Sequence, residues 1–256
     1  MGATAGVIIY ALDGIPEVEP GADLAALIAD AAEGGGPGLR DRDVLVVTHK
    51  VVAKAEGRLV DLRQIEPSPL AIHWAAEFAK DARQIEVVLR ESRRVVRMAR
   101  GVLISETRHG FVCANAGVDA SNVPGEGMVC LLPEDPDGSA RGLRAAFAER
   151  LGIDVAVVIS DTFGRPWRNG ITNVAIGVAG MDPFADYRGQ PDPYGYMLAA
   201  TRMAIADELA SAAELVMGKM DMRPVALIRG YEYRPAAPGS ESGHDMVMDP
   251  ERDLFR

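Results

Sequence analysis

The sequence predicts an α+β fold in which antiparallel and mixed sheets pack against helices. Helical and strand-like segments follow one another in mixed order, without the regular strand–helix–strand repeat of a parallel α/β sheet. Three strand candidates, at 94–98, 102–106 and 111–115, have short connections that favour antiparallel hairpins. With 256 residues, 48% of them hydrophobic and 25% charged, the chain is long enough to bury a large core.

The first half of the chain adds two strands and three helices. Residues 7–10 and 44–47 are short apolar runs typical of strands. Residues 23–33 have helical period, and three successive glycines end that helix. Ser68 precedes a proline in the pattern of a helix N-cap, and this helix is expected to run to about residue 80. Asp81 is predicted to cap the next helix.

The second half continues with two helices and two strands. Asp137 is predicted to open a helix that ends after Leu151, before a glycine. The apolar, β-branched run 155–159 predicts a central strand. Residues 194–217 have the longest helical pattern, and 225–228 predicts the last strand.

The end of the chain has a different composition. Residues 235–250 are rich in Pro, Gly, Ser and acidic side chains, which is typical of a linker. We therefore predict a folded domain at 1–234 and a tail or linker at 235–256. The folded domain could consist of two subdomains.

Composition excludes several classes of protein. A formal net charge of −10 argues against nucleic acid as the main partner, because that affinity rests on Lys and Arg. The two cysteines, Cys113 and Cys130, lack CxxC spacing, which excludes a disulfide framework and argues against structural zinc. No signal peptide or membrane span is recognisable, so we expect a cytoplasmic protein.

Two polar segments follow apolar strand-like runs and carry candidate chemistry. Asp119, and Asp161 with Thr162, offer hard oxygen ligands suited to Mg²⁺ or Mn²⁺ beside a phosphate. Arg165 and Arg168 are near enough in sequence to clamp phosphate or carboxylate oxygens. A polar turn without a ligand is the alternative reading of Asp119 taken alone. The two segments together favour phosphoryl transfer.

Other segments limit the kind of nucleotide site. His49, Lys50 and Lys54 follow a buried strand, a common position for ligand groups, although solvated lysines are the alternative. Neither a GxxxxGK[ST] loop nor a dinucleotide fingerprint is present. Residues 215–219 read, on sequence alone, as an ordinary helix C-terminus.

A larger set of motifs resembles one known family. In chain order these are Gly14-Ile-Pro16, the segment 43–50, the segment 54–58, the segment 115–119, Ser121-Asn122, the segment 135–139, Ser160-Asp-Thr162, Ala206-Asp-Glu208 and Met217-Gly218. So many motifs in one order are characteristic of the coenzyme F420-0:γ-glutamyl ligases, which the chain resembles over roughly residues 7–230.

The resemblance implies a GTP-dependent amide ligase with an intertwined homodimeric α+β fold. Such an enzyme joins the amine of L-glutamate to a carboxylate of F420-0, or of its dehydro form, through an acyl phosphate. It then extends a γ-linked glutamate tail. Mn²⁺ or Mg²⁺ and K⁺ are the implied cofactors. In bacteria the ligase is often fused to a C-terminal flavin domain, and the tail described above resembles such a junction.

The resemblance also assigns site residues. Asp119 and Asp161 match metal ligands, Thr162 matches a ligand of a second metal, and Met217 matches a backbone contact to metal. The positions that match GTP contacts are Gly14, Ile15, Pro16, Glu17, His49, Lys50, Lys54, Asn122, Leu215, Val216, Met217, Gly218 and Lys219. After Gly218 the sequence departs from the family pattern.

Four residues are our candidates for catalysis. Lys50 and Lys54 would neutralise phosphate charge during transfer. Arg165 or Arg168 would hold a substrate carboxylate, a hypothesis that rests on spacing alone. Two other functions remain open: a metal-dependent nucleotide phosphohydrolase or small-molecule kinase, and a GTP-sensing module without catalysis.

Overall fold

The computed structural model describes residues 6–236 and 242–253. The α-helices of this part of the chain are α1 (Leu24–Glu33), α2 (His49–Ala55), α3 (Pro69–Phe78), α4 (Ala82–Glu91), α5 (Pro136–Leu151) and α6 (Ile205–Met217). Its strands are β1 (Ile8–Ala11), β2 (Val44–Thr48), β3 (Leu59–Asp61), β4 (Ser92–Ala99), β5 (Val102–Thr107), β6 (Val112–Ala114), β7 (Met128–Cys130), β8 (Ala156–Arg165), β9 (Arg168–Ala179), β10 (Ala185–Asp186), β11 (Arg202–Met203) and β12 (Val225–Arg229). The predicted mixture of helices and strands is confirmed.

A five-stranded sheet in the order β1-β12-β2-β8-β9 forms the centre of the fold. Only β2 and β8 are parallel neighbours, and the other pairs are antiparallel. The sheet is therefore mixed. The predicted central strand at 155–159 lies one place from the edge, as part of β8, while β2 occupies the middle.

Both faces of this sheet are covered by helices. On one face, Ile28 of α1 and Phe147 of α5 are fully buried together with Leu45. On the other face, Ala210 of α6 packs against Val46. Successive residues of a strand point to opposite faces, so apolar runs such as β2 must be buried on both sides.

The strands β8 and β9 form a long hairpin that the sequence patterns only partly predicted. Strand β8 continues past Ile159 to Arg165, and β9 was not predicted at all. The register shifts between Ile159 and Ser160, leaving Ile176 of β9 as an extra residue. The hairpin ends in an exposed turn where the side chain of Trp167 is 79% exposed.

A second packing unit contains α3, α4 and the sheet β4-β5-β6. Its core includes Trp74, Val88 and Leu103. The predicted antiparallel hairpins are confirmed here. The predicted caps are confirmed too: the Ser68 hydroxyl accepts from the α3 backbone, and the Asp81 carboxylate accepts from that of α4.

Two predicted helix boundaries were wrong. The helix expected at 194–217 begins only at Ile205, because the carboxylate of Asp192 accepts the backbone N–H groups of Tyr194 and Tyr196 and holds a turn. The helix that Asp137 was expected to cap is capped by Asp135 instead.

Asp137 anchors part of the predicted tail. Its Oδ1 accepts hydrogen bonds from the backbone N–H groups of Val178 (2.8 Å) and Gly243 (2.7 Å). Its Oδ2 accepts from the Ser242 hydroxyl at 2.6 Å. Val247 packs against the core next to α1 and α5. The segment 242–247 is thus attached to the domain, while residues 237–241 of the predicted tail lie outside the described residues.

The predicted absence of a disulfide is confirmed, since Cys113 and Cys130 are both buried free thiols. Across residues 6–236 and 242–253, no helix is both long and apolar enough to span a membrane.

Candidate active site

A cavity of about 480 Å³ opens at the end of the central sheet where β2 meets α2. Five segments line it: residues 15–18 before α1, 48–51 with 54 in and before α2, 122–124, 160–162 of β8, and 217–220 with 222–224 at and after the end of α6. Asn173 of β9 and Glu214 of α6 complete the lining. Most of the predicted nucleotide and metal residues therefore line one cavity.

His49 and Asp161 meet because of the parallel pairing of β2 and β8. Thr48 is in register with Ser160. The residues that follow them, His49 at the start of α2 and Asp161 in β8, therefore lie next to each other as well. The His49 Nε2 atom lies 3.2 Å from Asp161 Oδ1, and both side chains are largely buried. Asp161 also accepts the Thr162 N–H. Asp161 thus lies within β8, and not after its end as the sequence suggested.

Lys50 and Asp119 form a second contact beside the first. Lys50 Nζ lies 2.7 Å from Asp119 Oδ2 and donates to the hydroxyl and the carbonyl oxygen of Ser121. Ser121 in turn donates its N–H and O–H groups to Asp119. Burial raises the pKa of Asp119, but the bonds from Lys50 and Ser121 outweigh it and hold that pKa below its ordinary value.

The two aspartates are linked through consecutive residues of α2. The pKa of the nearby Cys130 thiol is raised to about 11, mainly by burial; Lys50 and Lys54 lower it, and Asp119 and Asp161 raise it. Asp119 is itself bridged to Cys130 through backbone hydrogen bonds. Asp161 lines the cavity and Asp119 does not, and the role of the two aspartates as metal ligands stays a prediction.

Lys54 is buried and forms an ion pair with Glu17. Glu17 belongs to the segment before α1, and Lys54 lies in the last turn of α2. This pair brings the first and second lining segments together. The cavity wall at this point carries a neutralised lysine, so an incoming anion would compete with Glu17 for it.

A hydrogen-bonded chain that the sequence analysis missed crosses the floor of the cavity. Thr162 Oγ1 donates to Asn173 Oδ1 at 2.7 Å, and Asn173 Nδ2 donates to Glu214 Oε2 at 2.9 Å. The local sequence signal was limited to a polar stripe at positions 207, 211 and 214 of a largely apolar helix, which marks Glu214 but neither Thr162 nor Asn173.

The segment after α6 forms the rim of the cavity. Met217 is buried, and Gly218 adopts a φ of +64° with Asp221 packed where a side chain would project, so only glycine fits. Lys219 lines the cavity. Of the predicted contacts at 215–219, Leu215 is 85% exposed and does not line the cavity, and Val216 packs against the α6 side of the core.

Besides Asp119, Leu215 and Val216, three more predicted site residues lie outside the cavity lining. Gly14 sits in the turn after β1 with a φ of +84°, next to the lining segment. Arg165 and Arg168 lie at the exposed tip of the β8–β9 hairpin. Their expected position beside the cavity of their own chain is not observed, and their role in holding a substrate carboxylate stays a prediction.

The side chains at the cavity floor fit a divalent cation that has other ligands as well. Within the described ranges, no three His, Cys, Asp or Glu side chains are grouped closely enough to hold a metal by themselves. Asp161 and Thr162 supply hard oxygen atoms, and the buried hydroxyl of Ser160 has no hydrogen-bond partner. Mg²⁺ and Mn²⁺ commonly combine one or two such protein ligands with water and phosphate oxygens.

Comparison with known proteins identifies related sequences. The family model described as F420-0:Gamma-glutamyl ligase matches residues 14–230. The coenzyme F420:L-glutamate ligase of Methanothermobacter thermautotrophicus is 45% identical over 253 residues, which cover 98% of this chain and 99% of that protein. The coenzyme F420:L-glutamate ligase of Methanopyrus kandleri is 49% identical over 242 residues, 94% of each chain. That of Haloarcula marismortui is 40% identical over 255 residues, 97% of this chain and 95% of the relative.

Proposed function

Because the chain belongs to the F420-0:gamma-glutamyl ligase family, we propose that it attaches L-glutamate to coenzyme F420-0. The observation that carries this proposal is identity of 45% over nearly the whole length of a curated ligase. The cavity agrees with it, since its lining includes Glu17, His49, Asn122 and Asp161 from four separate segments of the family pattern.

GTP is our proposed co-substrate, with Mn²⁺ or Mg²⁺ as the metal and K⁺ as activator. The volume of about 480 Å³ is within the range of small-molecule sites. Lys50, Lys54 and Lys219 are cations positioned to meet phosphate oxygens. Nothing in the geometry assigns a residue to K⁺.

The chemistry must activate a carboxylate, which is a poor acyl donor. In our proposal a carboxylate oxygen of F420-0 attacks the γ-phosphorus of GTP, and GDP leaves. The neutral glutamate amine nitrogen then attacks the acyl carbon and an amide bond forms. The bond from the acyl carbon to the bridging oxygen breaks, phosphate leaves with that oxygen and the electron pair, and the nitrogen releases one proton. Lys50 and Lys54 would balance the charge of the transferred phosphoryl group.

The carboxylates contribute to positioning. Asp161 and Asp119 would hold one divalent ion and Thr162 a second, and these ions would withdraw charge from the phosphate oxygens. Lys50 forms an ion pair with Asp119 at 2.7 Å, and His49 Nε2 lies 3.2 Å from Asp161 Oδ1 without forming a hydrogen bond. Both residues belong to the first turn of α2, so this turn lies beside the two carboxylates.

Repeated glutamate addition and homodimerisation belong to the same proposal. The hairpin tip supports a second copy as partner, because Trp167 is 79% and Ile171 is 65% exposed. Large apolar side chains exposed together are typical of interaction surfaces. A fused flavin domain after the tail stays a prediction.

Mass spectrometry tests the function. F420-0 incubated with the protein, GTP, Mn²⁺ and glutamate is expected to gain the mass of one or more glutamyl residues. Glutamate omission is the control. Release of phosphate that does not depend on glutamate would indicate a phosphohydrolase or kinase instead. GTP binding without any cleavage would indicate a sensing module.

A further inference from the structure

Three polar residues of α6 attach this helix to β9. Asp207, Ser211 and Glu214 are spaced i, i+4 and i+7, so they form one stripe on the helix. Asp207 Oδ1 accepts the backbone N–H of Ala175 at 2.8 Å, and the Ser211 hydroxyl donates to the backbone carbonyl oxygen of Asn173 at 2.7 Å. Glu214 Oε2 accepts from the Asn173 side chain at 2.9 Å. The Ser211 hydroxyl also shares a hydrogen bond with Thr172 Oγ1 at 2.9 Å. Of the three residues, Glu214 is the one that contacts the side chain of Asn173.

The Glu214 contact fixes which way the Asn173 amide points. An ionised carboxylate can only accept hydrogen bonds, so the NH₂ group of Asn173 must face it. The carbonyl oxygen of the amide then faces Thr162. Asn173 is 3% exposed, so little water can compete for these groups.

The orientation of Asn173 determines the orientation of the Thr162 hydroxyl. A threonine hydroxyl has one hydrogen atom and two lone pairs. At 2.7 Å from Asn173 Oδ1, this hydrogen is committed to the amide oxygen. The lone pairs of Thr162 Oγ1 are then free for an electrophile in the cavity that Thr162 lines.

We propose that Asn173 and Glu214 are positioning residues that hold Thr162 Oγ1 as an electron-pair donor to a divalent cation. The inference deepens the proposed function, on which it rests for the presence of a metal at this site. Hydrogen-bond partners behind a metal ligand commonly change metal affinity by about 10- to 100-fold when removed. The same chain ends three residues before Met217, so it also connects the cation site to the rim of the cavity.

A purely structural role is the competing explanation. In that case the Glu214–Asn173 bond would do no more than the neighbouring Ser211 bond, which attaches the same helix to the same strand residue. Ser211 does not contact Thr162, so Ser211→Ala is a matched control. Thr162→Val removes the hydroxyl, and Thr162→Ser retains it.

The test is a titration of the whole protein with Mn²⁺ alone, followed by the electron paramagnetic resonance signal of free Mn²⁺. Thermal unfolding of each metal-free variant is measured in parallel. We expect Asn173→Ala and Thr162→Val to raise the Kd for Mn²⁺ at least about tenfold. Thr162→Ser and Ser211→Ala are expected to stay within about threefold of the unmodified protein. Glu214→Gln, which keeps a hydrogen-bonding group of similar size, provides a second readout if Asn173→Ala does not fold, and an intermediate loss is expected.

Several results would overturn the proposal. The first is a Kd for Mn²⁺ that is unchanged in both Asn173→Ala and Glu214→Gln. The second is a loss of Mn²⁺ affinity in Ser211→Ala as large as that in Asn173→Ala. The third is the absence of Mn²⁺ binding by the unmodified protein. Glutamylation of F420-0 is assayed separately on the same samples. Failure of that assay with the Mn²⁺ difference intact would reject the proposed function and leave the role of Asn173 standing.

Discussion

Lys50 Nζ lies 2.7 Å from Asp119 Oδ2, and His49, the preceding residue, lies 3.2 Å from Asp161. One turn of helix α2 therefore contacts both carboxylates that the sequence suggested as metal ligands. The arrangement makes Lys50 a countercharge for Asp119 in the absence of ligand. Lys50 also lines the cavity, so in the proposed function the same lysine would contact the phosphate of a bound nucleotide.

Replacing Lys50 by methionine tests this double role. Lys50→Met keeps the length of the side chain and removes its charge, so we expect glutamylation to fall by about 100-fold or more. The measurement is kcat/KM for F420-0 at saturating GTP and Mn²⁺. Lys80→Met, at an exposed position after α3, is the control and is expected to retain the normal rate. Equal rates in the two variants would contradict the role of Lys50.

Asp161→Asn isolates the charge of the second carboxylate. Asparagine can still accept the Thr162 N–H bond that Asp161 accepts, so the fold should persist. The loss of charge next to a phosphoryl group is expected to lower glutamylation at least about 1,000-fold. Asp245→Asn at an exposed site serves for comparison. Activity within about tenfold of normal would remove Asp161 from the metal site.

The two hairpin arginines lead to a prediction about pairs of subunits. Since Arg168 is exposed at the tip and does not line its own cavity, it would act on the cavity of a second copy. We expect Arg168→Ala to raise the KM for glutamate about tenfold, while Arg100→Ala in an exposed turn changes it little. Mixing the Arg168→Ala and Asp161→Asn proteins is then expected to restore part of the activity. An unchanged KM would remove the arginine from substrate binding.

The lowered pKa of Glu86 leads to a prediction about how the free energy of unfolding depends on pH. Hydrogen bonds from Ser68, followed by those from Arg90, lower the pKa of Glu86 from 4.5 to about 2. A carboxyl whose pKa is lower in the folded protein than in the unfolded chain stabilises the fold at pH values above its unfolded pKa. This stabilisation is lost as the pH falls toward the folded pKa.

The corresponding variant is Glu86→Gln. We expect it to lower the free energy of unfolding by about 1–2 kcal/mol at pH 7, with the difference shrinking between pH 4.5 and about 2. Urea unfolding at a series of pH values measures it. Glu77→Gln, exposed on the adjacent helix, is expected to change little. A pH-independent difference for Glu86→Gln would contradict the assignment.

The attachment of segment 242–247 can be tested at Asp137. Asp137→Ala leaves the buried N–H of Val178 without its acceptor and releases Gly243 and Ser242, so we expect a loss of about 2–4 kcal/mol. Hydrogen exchange in 242–247 should accelerate as well. Ser242→Ala removes only one of the three bonds and is expected to cost about 1 kcal/mol or less. Equal losses in the two variants would show that Asp137 is not the anchor.

Local sequence patterns were sufficient for the elements that local chemistry determines. Ser68 and Asp81 were identified as N-caps because a Ser or Asp oxygen directly before a helix can accept a free backbone N–H of its first turn. The hairpins at 92–107 and 102–114 followed from short connections. The resemblance to a family supplied the site residues, and most of them line the cavity.

The elements that were missed depend on contacts distant in sequence. Strand β9 was not recognised because the extra residue at Ile176 interrupts the alternation that marks a strand. The start of α6 was placed too early because a carboxylate–backbone turn at Asp192 resembles helical spacing. Asn173 and Glu214 acquire their role only when β9 pairs with β8 and α6 packs on it, which no local pattern encodes.

Asp161 and Thr162 are neighbours in one strand, so they face opposite sides of the sheet, toward His49 and toward Asn173. Deleting a single residue between 156 and 160 would exchange the two side chains and leave neither with its partner. Extra residues inserted at 166–167, in the exposed turn, would leave that order intact. Insertions at the tip would therefore test the proposed subunit contact and the role of Arg168 without disturbing the order of Asp161 and Thr162.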